Sequence, residues 1–295
     1  MGVAGSKSYL FQMSKCRVQK SASRSLVITS LVFLALASVF VHGQEPRREP
    51  LPFERGEELI YQAEFTRGLL RGVDVAEFRF KALGEHIARG ADDVVVLRIT
   101  GDVFSKGLFT RIAGFKFHHH VESTADAEPF RVLRTDKVEE QGKRKRVLDA
   151  VYDHEKNRVL WREVSPNPQS GYFDFSEPIQ DVLTVIYYLR TKKLEPGKSF
   201  DVPVTDAGKV FTLSVAVAER KEIDTALGRL NTIRIEPALF GDNAAVRAKG
   251  KLSIWLTEDA RRLPVRAQLK VEMGTFDIKL KEVSYPERVS SPIIP

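Results

Sequence analysis

Apolar and polar residues alternate with a period of two through most of the chain after residue 52. Gly, Asp and Pro punctuate the alternation, which is typical of successive β-strands joined by short turns. Each run has one apolar and one polar face, as antiparallel sheets allow, and helical patterns do not recur between the runs as a parallel α/β fold requires. The pattern therefore predicts about a dozen strands, most clearly at 59–66, 211–217, 251–257, 265–273 and 276–280.

A hairpin is predicted around Gln141-Gly142-Lys143, because glycine can adopt the positive φ that a tight turn needs. The flanking strands would cover residues 131–140 and 144–153. Two acidic residues before the turn then lie near the basic run 143–146 after it. This arrangement predicts cross-strand ion pairs on a solvated edge, with an anion-binding patch as the alternative.

One helix is predicted over residues 177–191. Ser176 is a suitable N-cap, Pro178 fits the first turn, and Asp181 and Arg190 suit the two ends of the helix dipole. A wide apolar stripe predicts packing into the concave face of the sheet; it comprises Ile179, Val182, Leu183, Ile186 and Leu189. The expected fold class is therefore mostly β: a large antiparallel curved sheet or incompletely closed β-barrel with one inserted apolar α-helix.

The N-terminal segment has the pattern of an export signal. Residues 1–25 contain five basic and no acidic residues, and an uncharged, mostly apolar run follows at 26–41. This predicts a signal peptide over 1–43, cleaved between Gly43 and Gln44. A retained membrane anchor is the alternative, although a bilayer-spanning helix needs roughly 20 apolar residues. We expect the protein to reside in the periplasm or cell envelope of a bacterium.

Cleavage would change the charge and the cysteine content. The whole chain has a net charge of +7, from 46 basic and 39 acidic residues, and one cysteine. Five basic residues and Cys16 precede the predicted cleavage site, which leaves 41 basic residues and the same 39 acidic ones. Nucleic acid is therefore not an expected partner, and a disulfide framework or cysteine-based metal cluster is excluded.

The remainder of the chain is predicted to form one domain. Residues 44–52 include three prolines and are expected to be a short extended linker. No long Ser- or Gly-rich linker and no internal repeat interrupts residues 53–286. We therefore expect a single β-rich domain over 53–286, followed by a C-terminal tail over 287–295.

Three segments, taken in order, resemble a known family. They are 52–61 (PFERGEELIY), 181–200 (DVLTVIYYLRTKKLEPGKSF) and 250–265 (GKLSIWLTEDARRLPV). Together they resemble the bacterial domain-of-unknown-function family numbered 3108, over about residues 51–285. That family is exported and uncharacterised, so the resemblance implies no catalytic residues.

The segment 255–265 is also loosely similar to periplasmic lipoprotein-carrier proteins, which are half-open β-barrels that hold acyl chains under a helical lid. A likeness of this kind concerns the fold and does not give the function. Within this segment, Asp259, Arg261 and Pro264 are expected to order a turn, with the aspartate accepting hydrogen bonds from turn amides.

Catalytic motifs are absent from the sequence. There is no Gly-x-Ser-x-Gly elbow, no His-Glu-x-x-His helix and no glycine-rich phosphate loop. His118 and His120 would share one face of a strand, with Glu122 as a possible third metal ligand. The simpler interpretation is an ordinary strand, so we expect neither an enzyme nor a cofactor.

Aromatic residues are numerous before the predicted helix, where they would fill the core of a curved sheet or line a cavity within it. The leading hypothesis is a binding or carrier module for a lipid-like or other apolar ligand. Its candidate ligand-binding residues are Tyr61, Phe65, Phe173, Phe175, Ile186 and Trp255. A structural or assembly protein that recruits an envelope protein partner at its sheet edges is the second hypothesis, and a metal-dependent enzyme using His118 and His120 is the third.

Overall fold

The computed structural model describes residues 51–89, 92–107, 110, 116–176, 178–240 and 249–285. The predicted signal peptide, its cleavage site and the C-terminal tail lie outside these residues. In the part of the chain that is described, no helix is both long enough and apolar enough to cross a membrane.

Fifteen strands and one complete α-helix form within the described residues, against the dozen or so strands expected. They are β1 (Glu57–Arg67), β2 (Leu70–Arg89), β3 (Asp92–Ser105), β4 (Phe117–Ala127), β5 (Phe130–Gln141), β6 (Arg144–Asp153), β7 (Arg158–Ser165), β8 (Gln169–Asp174), β9 (Gln180–Asp181), α1 (Thr184–Thr191), β10 (Ser199–Asp206), β11 (Lys209–Thr225), β12 (Gly228–Pro237), β13 (Gly250–Thr257), β14 (Pro264–Val271) and β15 (Gly274–Ser284).

All fifteen strands belong to one curved sheet that does not close, which confirms the predicted fold class. Strands β1 to β8 form one antiparallel meander, and β10 to β15 form another. The two meanders are joined by antiparallel pairing of β1 with β15, so the first and last strands lie at the middle of the sheet. Strand β8 is one edge, and the short β9, which pairs in parallel with β10, is the other.

Period-two alternation produces the two faces of the sheet. In β1, Glu57, Leu59, Tyr61 and Ala63 are buried, while the residues between them are partly exposed. The predicted hairpin is also present: β5 and β6 flank Gly142, which has a φ of 60°. The expected cross-strand ion pairs form there; one of them joins Lys145 to Glu140 at 2.9 Å.

The helix is shorter than predicted. The expectation of a helix over 177–191 with Ser176 as its N-cap is wrong, because Gln180 and Asp181 form β9 and the helix begins at Thr184. The reason lies in Asp181, whose buried carboxylate accepts hydrogen bonds from the backbone N–H groups of Leu183 (2.9 Å) and Thr184 (2.6 Å). Asp181 therefore orders the turn that precedes the helix, whose N-cap is Leu183, instead of lying within the first helical turn.

Helix α1 packs into the concave face, as its apolar stripe predicts. Val185, Tyr188 and Leu189 share one hydrophobic cluster with residues of both meanders. From the N-terminal meander these include Ala82, Leu97, Ile99 and Ala125, and from the C-terminal meander Val202, Val204, Leu213, Val215, Ile235 and Leu256. The helix thus fills space that sheet curvature alone would leave empty.

Side chains connect the two ends of the sheet without backbone pairing. The hydroxyl groups of Tyr152 in β6 and Thr205 in β10 are 2.5 Å apart, and Lys137 Nζ in β5 donates to Asp206 Oδ1 at 3.0 Å. Lys137 also pairs with Glu139 at 2.6 Å. Although burial lowers the pKa of Lys137, the two carboxylates outweigh it, and the pKa is raised overall. The lysine is thus held in its charged form.

Candidate functional site

The N-terminal end of α1 is fixed to the sheet by Asp181. Besides its bonds to the N–H groups of Leu183 and Thr184, the carboxylate accepts hydrogen bonds from Ser123 Oγ in β4 (2.6 Å) and from Thr135 Oγ1 in β5. The neighbouring Gln180 donates from Nε2 to the backbone carbonyl of Phe130 at 3.2 Å. The helix therefore begins at a defined position against the N-terminal meander.

The C-terminal end of α1 is fixed by a buried ion pair. Arg190 donates from Nη1 and Nη2 to the two carboxylate oxygens of Glu57, at 2.5 and 2.9 Å, and both side chains are fully buried. It also donates to the backbone carbonyls of Pro52 (2.8 Å) and Arg261 (3.1 Å). Its guanidinium lies 5.2 Å from the ring centre of Phe53, so it has partners on all sides.

The three segments that carry the family resemblance meet at Arg190. Glu57, Pro52 and Phe53 come from the first segment, Arg190 itself from the second, and Arg261 from the third. In the third segment, Arg262 Nη1 also donates to the carbonyl of Arg190 at 2.9 Å. In this chain the three segments therefore meet at the contacts that hold the C-terminal end of the helix.

An apolar cavity of about 360 Å³ lies between α1 and the sheet. The helix contributes Val185, Ile186 and Leu189, and the loop before it Val182. The sheet contributes side chains from both meanders: Tyr61, Phe78, Phe80, Val204, Phe211, Leu213, Pro237, Leu252, Ile254, Pro264, Arg266, Ala267 and Ile278, with Leu239 after β12. Its size is within the range of about 300–1,000 Å³ that is common for small-molecule sites.

A second apolar cavity of about 190 Å³ adjoins the first. Phe78 and Ile278 line both cavities, so the two cavities are neighbours at these side chains. Ala63, Val103, Phe117, Leu269 and Phe276 are among the other lining residues of the second cavity.

Polar groups are few at the larger cavity. Tyr61 is 5% exposed, and its hydroxyl has no hydrogen-bond partner among the described residues. Burial, its largest influence, raises the pKa of Tyr61 well above its ordinary value, so the hydroxyl stays protonated. Arg266, the one basic residue among the described residues of the lining, is held by Asp277 through two hydrogen bonds of 2.7 Å.

The predicted ligand-binding residues divide into two groups. Tyr61 and Ile186 line the larger cavity. Phe65 packs against Phe276 with ring centres 4.9 Å apart, beside the smaller cavity, and is not among its lining residues. Trp255 follows the cavity-lining Ile254 along β13, and the guanidinium of Arg266 lies 5.1 Å from its ring centre.

Phe173 and Phe175 lie near the β8 edge instead. Both pack against a separate hydrophobic cluster that contains Tyr152 and Ile179. Phe173 also lines a small pocket of about 40 Å³ between the two ends of the sheet. The structure therefore does not bring these two aromatic residues together with Tyr61 and Ile186.

The three consecutive histidines lie on β4. His118 Nε2 and His120 Nδ1 are each 2.8 Å from the same oxygen of Asp102 on β3, and Glu122 is not their partner. Burial would raise the pKa of Asp102, but the two histidine hydrogen bonds prevail and lower it. Across the described residues, no three His, Cys, Asp or Glu side chains are placed to hold a metal ion together.

The predicted turn after β13 is organised by Asp259. Its Oδ1 accepts from Thr257 Oγ1 at 2.6 Å, and its Oδ2 accepts from the Arg261 guanidinium at 2.6 and 2.9 Å. Burial raises the pKa of Asp259, but these hydrogen bonds and the adjacent charge lower it overall. Pro264 is the first residue of β14.

Strand β8 is the edge at which strand addition, the second hypothesis, would take place. It pairs with β7 alone. Tyr172 of β8 is 63% exposed and is aligned with the exposed Leu160 of β7 and Val151 of β6. The edge therefore carries a short row of exposed apolar side chains.

The ion pair of Glu57 and Arg190 was not anticipated from the sequence, where Arg190 was assigned only to the helix dipole. One signal was available. Glu57 shares the parity of Leu59 and Tyr61, so alternation places it on the buried face of β1. A charged residue on such a face requires a buried partner of opposite charge.

The fold and site define a class: an open, curved antiparallel sheet with a helix anchored in its concave face beside an apolar cavity. The family model "Protein of unknown function (DUF3108)" matches residues 61–281. The chain belongs to this family, as its three segments predict. A search of curated proteins finds no match.

Two solved structures are similar in fold. One is a beta-barrel-like protein of domain of unknown function DUF1849 from Brucella abortus, with 11% identity, a TM-score of 0.51, and coverage of 79% of this chain and 98% of that one. The other is a putative exported protein with a YmcC-like fold from Bacteroides fragilis, with 8% identity, a TM-score of 0.35, and coverage of 80% and 98%. The first similarity agrees with a barrel-like fold.

Proposed function

We propose that this protein is an exported binding or carrier module of the bacterial cell envelope that holds a lipid-like or other apolar ligand. The observation that carries the proposal is the apolar cavity of about 360 Å³ between α1 and the sheet. Burial of an apolar ligand there would be favourable by about 25 cal/mol per Å² of apolar surface removed from water.

The arrangement of the helix supports this proposal. Val185, Ile186 and Leu189 line the cavity, while Asp181 fixes one end of the helix to β4 and β5 and Arg190 fixes the other end to β1. The cavity wall is therefore held by polar contacts that do not depend on a filled interior. A preformed wall reduces the ordering that binding would otherwise require.

Export is supported by the sequence pattern of residues 1–43. The test is to isolate the protein from the envelope of its own bacterium and to identify its N-terminal residue by mass spectrometry. A chain that begins at Gln44, or within a few residues of it, is expected. Recovery of the chain from the cytoplasm with residues 1–43 intact would contradict the export part of the proposal.

Ligand binding is tested with a substitution that fills the cavity. Ala267 lines it, between Ile254 and Ile278 on the neighbouring strands, so Ala267→Phe would place a ring in the ligand space. Ala226→Phe adds the same group at an exposed turn and is the matched control. The probe is N-phenyl-1-naphthylamine, an uncharged aromatic amine that fluoresces in apolar surroundings.

Saturable probe binding is expected for the wild type and for Ala226→Phe, with at least tenfold weaker binding for Ala267→Phe. The amount of lipid that can be extracted per molecule of protein purified from the envelope should likewise be lower for Ala267→Phe than for the wild type. The absence of saturable binding by the wild type would refute the proposal. So would equal binding by a correctly folded Ala267→Phe variant, as judged by circular dichroism.

A further inference from the structure

Two neighbouring turns at one end of the sheet present apolar side chains to solvent. The turn between β1 and β2 carries Leu69 and Leu70, and the turn between β14 and β15 carries Met273. These side chains are 103%, 47% and 53% exposed. The turns are adjacent, because Thr66 is aligned with Thr275 in the pairing of β1 with β15. A single exposed apolar residue is common on proteins, but several on adjacent turns indicate an interaction site.

The same end of the sheet carries many basic residues. Successive turns of an antiparallel meander alternate between the two ends of a sheet, so the turns after β1, β3, β5 and β14 lie at one end. Six exposed basic residues in or beside these turns form no ion pair with another residue that the structure describes: Arg67, Arg71, Lys116, Lys143, Arg144 and Lys270. Within 67–71 and 270–274, three residues are basic and only Glu272 is acidic.

This combination favours a membrane surface over a protein partner. Protein interfaces bury their apolar residues at a centre that is depleted of charge. Here the fully exposed Leu69 lies in the chain between Arg67 and Arg71, so it has a cation on either side. Apolar side chains among cations match the boundary of an anionic bilayer, because the acyl chains can bury the first and the head groups can pair with the second.

The smaller apolar cavity lies beside the same turns. Among its lining residues, Leu269 directly precedes Lys270, and Phe276 follows Gly274 by two residues. This cavity also neighbours the larger one. A bilayer in contact with the turns would therefore lie next to the apolar interior of the protein.

We propose that this end of the sheet docks on an anionic lipid bilayer, into which Leu69, Leu70 and Met273 insert while the surrounding cations bind lipid phosphates. The bilayer is recognised by charge complementarity and by burial of the exposed apolar side chains. This inference goes beyond the proposed function, because it concerns the outer surface of the protein and does not require a filled cavity. It gives a carrier a defined point of contact with the membrane.

The experiment measures co-sedimentation of the protein purified from the envelope with sucrose-loaded vesicles. One set of vesicles contains equal parts of phosphatidylcholine and phosphatidylglycerol, and the other contains phosphatidylcholine alone. The wild type should bind the anionic vesicles more tightly. This difference should disappear in about 1 M salt, where the Debye length is about 3 Å. All variants share the same N-terminus, so differences among them report the substituted turns.

Two matched pairs of variants locate the contact. Leu69→Ser should weaken binding to anionic vesicles by about fivefold or more, because the burial of a leucine is lost. Leu227→Ser removes an exposed leucine from the β11–β12 turn at the opposite end of the sheet and should bind like the wild type. Lys270→Gln should weaken binding about fivefold, on anionic vesicles only. Its control is Lys221→Gln, which removes an exposed lysine of β11 near the opposite end.

Two results would overturn the inference: a wild type that shows no salt-sensitive binding to the anionic vesicles, or equal affinities within either matched pair. If vesicles do not bind and Leu69→Ser instead loses a protein that cross-links to the wild type in the envelope, the surface is a protein interface and the inference fails. Saturable binding of N-phenyl-1-naphthylamine without vesicle binding would support the proposed function alone. The reverse result would support this inference alone.

Discussion

The buried ion pair at the end of α1 yields a prediction that can be calculated from its contacts. Glu57→Gln preserves the shape of the side chain but removes its negative charge. Arg190 would keep its hydrogen bonds to the carbonyls of Pro52 and Arg261, yet its guanidinium would remain fully buried without a counter-ion. Removal of one partner from a buried pair destabilises a protein by about 3–5 kcal/mol.

This loss is large compared with the total stability of a domain, about 5–15 kcal/mol. Arg190→Met should be at least as damaging, since it also breaks two hydrogen bonds to backbone carbonyls, each worth about 1 kcal/mol. In the double variant no charge is left unpaired. Its loss should therefore be smaller than the sum of the single losses by about 2 kcal/mol or more.

The assay is equilibrium unfolding in urea, followed by tryptophan fluorescence and circular dichroism. Probe binding in the absence of urea reports the cavity separately, because the same helix forms its wall. Glu195→Gln is the control. It breaks the pair with Lys193, whose side chain is 84% exposed, and should change stability within experimental error.

Two results would refute this reasoning. If Glu57→Gln lowers the free energy of unfolding by less than about 1 kcal/mol, the buried charge is tolerated and the pair is not the anchor of the helix. If the two single losses simply add in the double variant, the residues act independently, which the bidentate contact between them does not allow.

Two further predictions concern the sheet. At Gly208 (φ +79°) a Cβ would lie 2.5 Å from the Trp161 ring, whereas at Gly197 (φ +83°) a Cβ would have no neighbour within 4 Å. In urea titrations, Gly208→Ala should therefore lower the free energy of unfolding by about 1–3 kcal/mol more than Gly197→Ala does. Equal losses for the two variants would refute the contact with Trp161. The pKa of Asp102 is lowered below its ordinary 3.8, so its histidine hydrogen bonds stabilise the fold above that pH and are lost as the pH falls through the lower folded value. The stability difference between wild type and Asp102→Asn should therefore be larger at pH 5 than at pH 2 and should shrink as the pH falls below about 4; an equal difference at pH 5 and pH 2 would contradict this assignment.

Local sequence patterns were sufficient to predict the strands and which of their faces is buried. Alternation placed Leu59, Tyr61 and Ala63 on one buried face, and Gly142 marked the centre of a hairpin. Both features depend on neighbouring residues only. The apolar stripe of the helix likewise predicted its burial, because the stripe is a property of the helix itself.

The start of the helix, the buried ion pair and the cavity depend on contacts between residues far apart in the sequence, so local patterns did not predict them. The helix starts later than its pattern suggested because Asp181 is bonded to Ser123 and Thr135, far away in the sequence. Arg190 was assigned from the sequence to the end of the helix dipole, and its contact with Glu57, 133 residues away, could not be read from the local pattern. The cavity is formed by side chains from many strands, so a candidate list drawn from the sequence included Tyr61 and Ile186 but also residues that lie elsewhere.

The pairing of β1 with β15 gives the sheet a topology with a consequence for synthesis. All other neighbouring strands in the sheet are consecutive in the chain, so this is the one strand pairing that joins segments far apart in the sequence. If the ends of β15 and β1 were linked and the chain cut between β8 and β9, all strands would follow one another from edge to edge. In the natural order, β1 is made first and keeps one edge unpaired until residues 274–284 have emerged. A chain that leaves the ribosome N-terminus first must therefore protect that edge from pairing with other strands until its last strand arrives.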